Sequence, residues 1–174
     1  MGHVRFAGLT AGLGWAWREP FHQAIAARLA GCEPRLSELR ALAFAGDGGE
    51  AEARELAVMQ WSADFTGPDA RRHAEEMATP WFGINHEYYD SVWGELKQTW
   101  HEDALVTECR ALDVPVLIVD GADDLRPRWA ADSLEQALPR VTRVVLPGVG
   151  HVPWLEVPGE FGSAVTDWLR EASR

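Results

Sequence analysis

The sequence predicts an α/β protein in which a short parallel sheet with flanking helices is joined to a mainly helical region. Three observations carry this. Val114-Pro-Val-Leu-Ile-Val119 is an unbroken, β-branched apolar run, the pattern of a strand covered on both faces. A helix opened by Pro127, a second apolar strand from Val141 to Leu146 and a last helix opened by Pro158 follow it. Together they make a strand–helix–strand–helix unit whose crossover should be right-handed. Residues 20–112, by contrast, read almost wholly as helix and hold no strand pattern of any strength.

Composition narrows the classes. Of 174 residues, 47% are hydrophobic, enough for a core, so one domain with a subdomain is expected. Acidic residues number 27 against 16 basic ones, a formal charge of −11, and such a surface repels phosphate; nucleic acid is not an expected partner. No apolar run approaches the roughly 20 residues of a spanning helix, so no membrane is expected. The N-terminus has no long apolar stretch of the kind a signal peptide needs. Met1-Gly2 resembles a myristoylation start, but Phe6 stands where Ser or Thr is required. Cys32 and Cys109 lie far apart and read as buried free thiols of a reducing compartment, so a cytoplasmic location is expected.

Taken in order, Val4 to Gly8 is a short strand candidate, and Gly8, Gly12 and Gly14 make an open turn. Pro20 suits a first helical turn, Phe21, Ile25 and Leu29 follow at helical spacing, and Gly31 stops the helix. A second helix is predicted from Arg35 to Phe44 with Leu36, Leu39 and Leu42 inward. Asp47-Gly-Gly49 breaks the chain, and a third runs from Glu50 to Ala63 with Ala53, Leu56, Ala57, Gln60 and Trp61 on one face. After Thr66-Gly-Pro-Asp69 a fourth helix ends near Met77. Pro80-Trp-Phe-Gly83 is a loop, and Asn85 to Trp100 and Glu102 to Leu112 are helical. In the last third, Ala130, Ser133, Leu134 and Ala137 face inward from one helix. Phe161, Ala164, Val165, Trp168 and Leu169 form the apolar stripe of the other.

The chemistry gathers at the strand ends. Ligand sites of open α/β sheets lie beyond the carboxyl ends of the strands. Asp124 follows the first strand by a few residues and His151 follows the second, so an acid and an imidazole can meet across neighbouring strands about 4.8 Å apart. The acid would orient the imidazole through one ring N–H, leaving the other nitrogen to take a proton from a nucleophile. Alone, an Asp after a strand is often only a turn former, and a lone His is more often structural. The joint pattern, Gly-x-x-Asp after one buried strand and Gly-x-Gly-His after the next, favours a relay.

Leu117-Ile-Val-Asp-Gly-Ala-Asp-Asp124, followed by Leu146-Pro-Gly-Val-Gly-His-Val-Pro-Trp-Leu-Glu156 and a terminal helix, resembles the C-terminal end of α/β-hydrolases. The fit is nearest to the proline-iminopeptidase-like branch and covers residues 113–172. The resemblance implies a partial α/β-hydrolase fold: residues 1–19 as strand and turn of the core, 20–112 as a helical cap, and 113–174 as the C-terminal part of the core. It makes Asp124 the relay acid, since the family acid stands fourth in its Gly-x-x-Asp turn, with Asp123 the neighbouring alternative, and it makes His151 the base. The implied substrate is a small-molecule ester or amide, peptides included. No cofactor and no metal are implied.

The family nucleophile stands in Gly-x-Ser-x-Gly between a strand and a helix. This sequence has no such motif. Gly8-Leu-Thr-Ala-Gly12 comes nearest, with Thr10 in the slot, but Leu13-Gly-Trp15 ahead of Pro20 supplies no helix directly after it. The better reading takes Val4 to Gly8 as the family's sixth strand. The sequence then reads as truncated, lacking the nucleophile, the oxyanion-hole loop and the first five strands, with about three parallel strands left and an exposed apolar edge. Self-association, or a partner added at that edge, is expected. The alternative function is an inactive fragment or pseudoenzyme that acts by binding.

Other signals are weaker. His86-Glu-Tyr-Tyr-Asp90 is a near miss of a zinc helix, with Asp where the second His belongs and no third ligand evident. Cys109 has no local signature of a nucleophile. The tryptophans, nine in all, read mostly as packing anchors. Trp81 and Phe82, in the loop where a lid would bend, are the candidates for contact with substrate. Glu87 or Glu75 could bind a substrate amino group, as cap carboxylates do in the family's peptidases.

Overall fold

A computed structural model describes residues 15–172. The chain divides into two compact units, one formed by Gln23–His101 and the other by residues 15–22 with 102–172.

The first unit is helical. Helix α1 (Arg18–Leu29) enters it, and a single 3-10 turn, Ala30–Cys32, leads into α2 (Glu33–Ala45). Helix α3 (Glu50–Trp61) begins where the Glu52 carboxylate accepts the Gly49 N–H at 3.0 Å, satisfying one of the donors that a helix start leaves open. Helix α4 (Ala70–Met77) and α5 (His86–Thr99) follow, α5 being capped by Asn85, whose Oδ1 accepts the Tyr88 N–H at 2.9 Å. Helix α2 packs on α3 and α3 on α4, and Leu36 and Leu39 from α2, Ala57 and Val58 from α3, Ala74 from α4 and Phe65 are all buried. Phe65 is held twice over, with the His73 ring stacked on it at 5.2 Å and the Arg28 guanidinium donating to its carbonyl at 3.0 Å. Trp61 packs against Trp81 at 6.1 Å, and the Arg54 guanidinium donates to Ala78 O and Thr79 Oγ1, both at 3.1 Å, fixing the chain as it enters the Pro80–Gly83 loop.

The second unit carries the sheet. Helix α6 (Glu102–Arg110) is followed by strand β1 (Val116–Gly121), helix α7 (Arg128–Ala137) and strand β2 (Val141–Leu146). The strands run parallel in the register Val116↔Val141 to Gly121↔Leu146. Helix α8 (Pro153–Glu156) and α9 (Pro158–Ala172) complete the unit, with α9 against β1 and α6 against α7. Pro153 and Pro158 open their helices where a missing N–H is harmless. One side of the sheet is stitched to α7 by ions. Arg143, with a side chain only 5% exposed, donates to Asp120 at 2.6 Å and 3.0 Å, to Glu135 at 2.9 Å and to Asp132. The Asp120 hydrogen bond, set against burial and joined by those to Glu135 and Asp132, holds the guanidinium far above its usual range, so it stays charged.

Several expectations are corrected. Strand β1 starts at Val116, not Val114, because Pro115 has no N–H to donate and the first ladder bond is Val116 N–H to Arg140 O at 2.9 Å. Its residues are half-buried rather than enclosed, since among the described residues the sheet has two strands and each keeps an unpaired edge. Cys32 is exposed at the end of its 3-10 turn, not buried; Cys109 is half-buried, and both thiols are free. Ala53 is exposed, and the buried arc of α3 is Ala57, Val58 and Met59. Helix α8 was not expected. The strand candidate Val4–Gly8, Thr10 and the glycine turn lie outside the described residues. Among the described residues no helix is long and apolar enough to cross a membrane.

Candidate active site

The carboxyl ends of β1 and β2 are joined by backbone. The Ala122 N–H donates to Leu146 O at 2.8 Å and the Asp123 N–H to Val149 O at 2.9 Å, so the turn after one strand is hydrogen-bonded to the loop after the other. Gly121 permits this closeness. A Cβ there would stand 2.1 Å from the carbonyl oxygens of both Val149 and Gly150, far inside contact distance. Gly148, at φ +73°, takes the left-handed conformation that turns the second loop back over the sheet end. Glu156, at the end of α8, closes that loop by accepting the Gly150 N–H at 2.8 Å.

On this frame Asp124 and His151 meet. Asp124 Oδ2 lies 2.7 Å from His151 Nδ1, with the side chains 16% and 26% exposed. The carboxylate accepts and the ring N–H donates, which fixes the proton on Nδ1. Among the described residues Nε2 makes no hydrogen bond, so it is the nitrogen available to a reacting proton. Asp123, the alternative acid, is exposed and donates only its main-chain N–H to this frame. The second oxygen of Asp124 is also occupied. Oδ1 accepts the Arg126 N–H at 3.0 Å and the Arg126 guanidinium at 3.1 Å. That guanidinium lies 4.5 Å from the ring centroid of Phe21, in the first turns of α1. Burial pushes the Asp124 carboxyl upward, but the hydrogen bond from His151, its charge, and the N–H and charge of Arg126 outweigh burial and hold the carboxyl below its ordinary value.

Sequence reasoning singled out Asp124 and His151 and missed Arg126 and Glu156. The signal for both was local. Arg126 stands two residues past the acid, where an Asx-type turn brings a main-chain N–H back to the carboxylate, and Glu156 lies one helical turn past Pro153. Trp81 and Phe82 belong to the helical unit. Trp81 is half-buried on Trp61, and Phe82 is 89% exposed beside Gly83. Tyr88, Tyr89 and the His86–Asp90 stretch are exposed, Cys109 is pushed above the usual thiol range by burial and then by Glu108, and Glu75 pairs with Arg71 at 3.0 Å.

Comparison with known proteins finds an esterase and a proline iminopeptidase among the relatives. The chain is 40% identical over 60 residues to the pimeloyl-[acyl-carrier protein] methyl ester esterase of Nitrosomonas europaea, covering 34% of this chain and 24% of that protein. It is 29% identical over 85 residues to the proline iminopeptidase of Lactobacillus delbrueckii subsp. lactis, covering 47% of this chain and 29% of that one. The matches thus span less than a third of the length of these curated relatives. Among solved structures, the proline iminopeptidase of Mycobacterium smegmatis superposes with a TM-score of 0.51 at 16% identity, over 90% of this chain and 53% of that one. No family model matches the sequence.

Proposed function

Given a chain that carries part of an α/β-hydrolase fold and has α/β-hydrolases as relatives, we propose that it contributes the acid and base of an ester- or amide-hydrolysing relay. Asp124 orients His151. The imidazole takes a hydroxyl proton on Nε2 as the hydroxyl attacks the substrate carbonyl, and returns it to the leaving alcohol or amine. The same imidazole then activates the water that releases the acyl group. Asp124 carries the negative charge that stabilises the imidazolium in both halves. The hydroxyl belongs to a Ser in a Gly-x-Ser-x-Gly turn, and that motif is absent from these 174 residues, so it comes from other polypeptide. In this reading residues 1–19 and 113–174 belong to the hydrolase core. Residues 20–112 are a cap, and Trp81 and Phe82 meet the apolar part of the substrate. The observation that supports it most directly is the 2.7 Å contact between His151 Nδ1 and Asp124 Oδ2.

A second reading is supported by the missing elbow. Here the chain does not turn over substrate and acts by binding, with a partner strand added to the short sheet. In one measured triad protease, loss of the Ser alone costs on the order of 10⁶ in rate, so an intact acid and base alone do not make an enzyme. A fluorophosphonate probe separates the readings once the polypeptide that supplies the Ser is present. Labelling of that Ser that is lost in His151→Ala refutes the binding reading, and labelling and ester turnover that are absent, or unchanged in His151→Ala, refute the relay. An in-frame Gly-x-Ser-x-Gly in the coding sequence upstream of Met1 would identify the source of the nucleophile.

A further inference from the structure

We propose that Arg126 is a positioning residue whose guanidinium moderates the Asp124–His151 hydrogen bond by drawing on the charge of the carboxylate it rests against. The inference rests on the reading of Asp124 and His151 as a working pair.

Asp124 has two oxygens, and the structure divides them. Oδ2 faces His151 Nδ1 at 2.7 Å, while Oδ1 receives the Arg126 main-chain N–H at 3.0 Å and its guanidinium at 3.1 Å. Two donors converging on one oxygen from the same residue fix the plane of the carboxylate, so the other oxygen keeps its aim. The guanidinium is held in turn. Its side chain is 16% exposed, and it lies over the Phe21 ring at 4.5 Å, a geometry in which the ring quadrupole attracts the cation. Phe21 itself is braced by Trp17 at 5.9 Å. The first turns of α1 therefore support the acid through an aromatic ring and an arginine.

The charge has a second effect. A carboxylate that faces only an imidazole directs its whole charge at the ring N–H. With a permanent cation on Oδ1, its side chain only 16% exposed, part of that charge is already neutralised, so Oδ2 is a weaker acceptor. The ring is then held in place and in the right tautomer, while the pull on its proton is moderated. Arg126 is the residue suited to this because its planar fork cannot lose its charge.

The test is the His151 Nδ1–H proton itself, read by low-temperature proton NMR of the purified chain. A ring N–H bonded to a carboxylate resonates downfield of the amides, and a stronger acceptor moves it further downfield. Arg126→Gln is expected to shift the resonance downfield, and Arg126→Lys, which restores a cation, to return it toward the wild-type position. A purely structural role for Arg126 predicts the opposite, an upfield shift or loss as the pair loosens, and that result, or no change, overturns the proposal. Should Arg126→Gln not fold, Phe21→Leu loosens the cation while leaving it in place. It is expected to move the resonance the same way by less, and an unmoved or upfield resonance overturns the proposal there too. Absence of the resonance from the wild-type chain, or its survival in Asp124→Asn, would instead remove the pair and with it the functional reading.

Discussion

In Gln23–His101 the interior is made mainly of apolar side chains, with Phe65, Leu36 and Leu39 fully enclosed, Ala57, Val58 and Ala74 also buried, and the His73 ring stacked on Phe65. In the α/β unit the buried apolar residues are fewer, Ala130, Ala137, Leu138, Leu146, Val149 and Val152 among them, and no large side chain is fully enclosed among the described residues. Half-buried ion pairs stand beside them. Arg143 gathers three carboxylates on one side of the sheet, and Asp124, Arg126 and His151 share charge at its carboxyl end. The helical unit is therefore held by burial, which any apolar side chain of the right volume can supply. The α/β unit is held by pairings, in which each partner is needed to justify the burial of the other.

Breaking each unit in its own terms sharpens that contrast. Phe65→Ala should have the largest effect, about 3–5 kcal/mol of unfolding free energy for an aromatic truncated in a closed core, read from urea midpoints. The His151 low-field proton should be unchanged in that variant below the transition. Arg143→Leu should cost about 3 kcal/mol, the lower end for removal of one partner from a buried ionic cluster, because Asp132 and Glu135 are 40% and 42% exposed and water relieves them. The loss should be visible as early melting of the sheet with the helical unit intact. A replacement that leaves stability unaltered would show that the cluster contributes no net energy.

Gly121→Ala comes next. A methyl driven against the main-chain carbonyls of Val149 and Gly150 should cost about 1–3 kcal/mol as the backbone gives way. Its diagnostic is separation of Asp124 from His151, seen as loss of the low-field proton in a chain that still melts cooperatively. The smallest effect concerns acid. The Asp124 carboxyl is held below its ordinary value of 3.8, burial opposing and His151 and Arg126 prevailing. Its contribution to stability is thus fully present above that unfolded value and is lost as the pH falls through the lower, folded one. Asp124→Asn should lower stability near neutrality and flatten the stability curve in that acid window. A curve as steep as the wild type would assign acid unfolding to other carboxylates.

One helix in each unit was legible because burial there follows a period. Leu36 and Leu39 in α2, and the stripe of Phe161, Ala164, Val165, Trp168 and Leu169 in α9 of the α/β unit, sit inward or half-inward as their spacing requires. Strand β2 has the predicted bounds, Val141 to Leu146. Strand β1 was misread in depth, because an apolar run registers what a strand contains and not how many neighbours it has. The Asp124–His151 meeting was legible because both residues stand at strand ends, whose spacing is fixed by the ladder. Arg126 and Glu156 were not, since nothing periodic marks them. Their importance arises from two main-chain N–H groups, their own or that of Gly150, that only the folded turns bring to a carboxylate.

The Gly121 contact has a consequence for recombination with related chains. With Ala122 and Asp123 hydrogen-bonded to the carbonyls of Leu146 and Val149, the separation of acid and base is set by main chain. The stretch from Val116 to Glu156 contains both strands, the crossover helix, both loops and the carboxylate that closes the second. Chimaeras that keep 116–156 whole and retain Phe21 against Arg126 should keep Asp124 and His151 aligned, whereas cuts between the two strands would ask an unrelated loop to fit against a glycine that has left it no clearance.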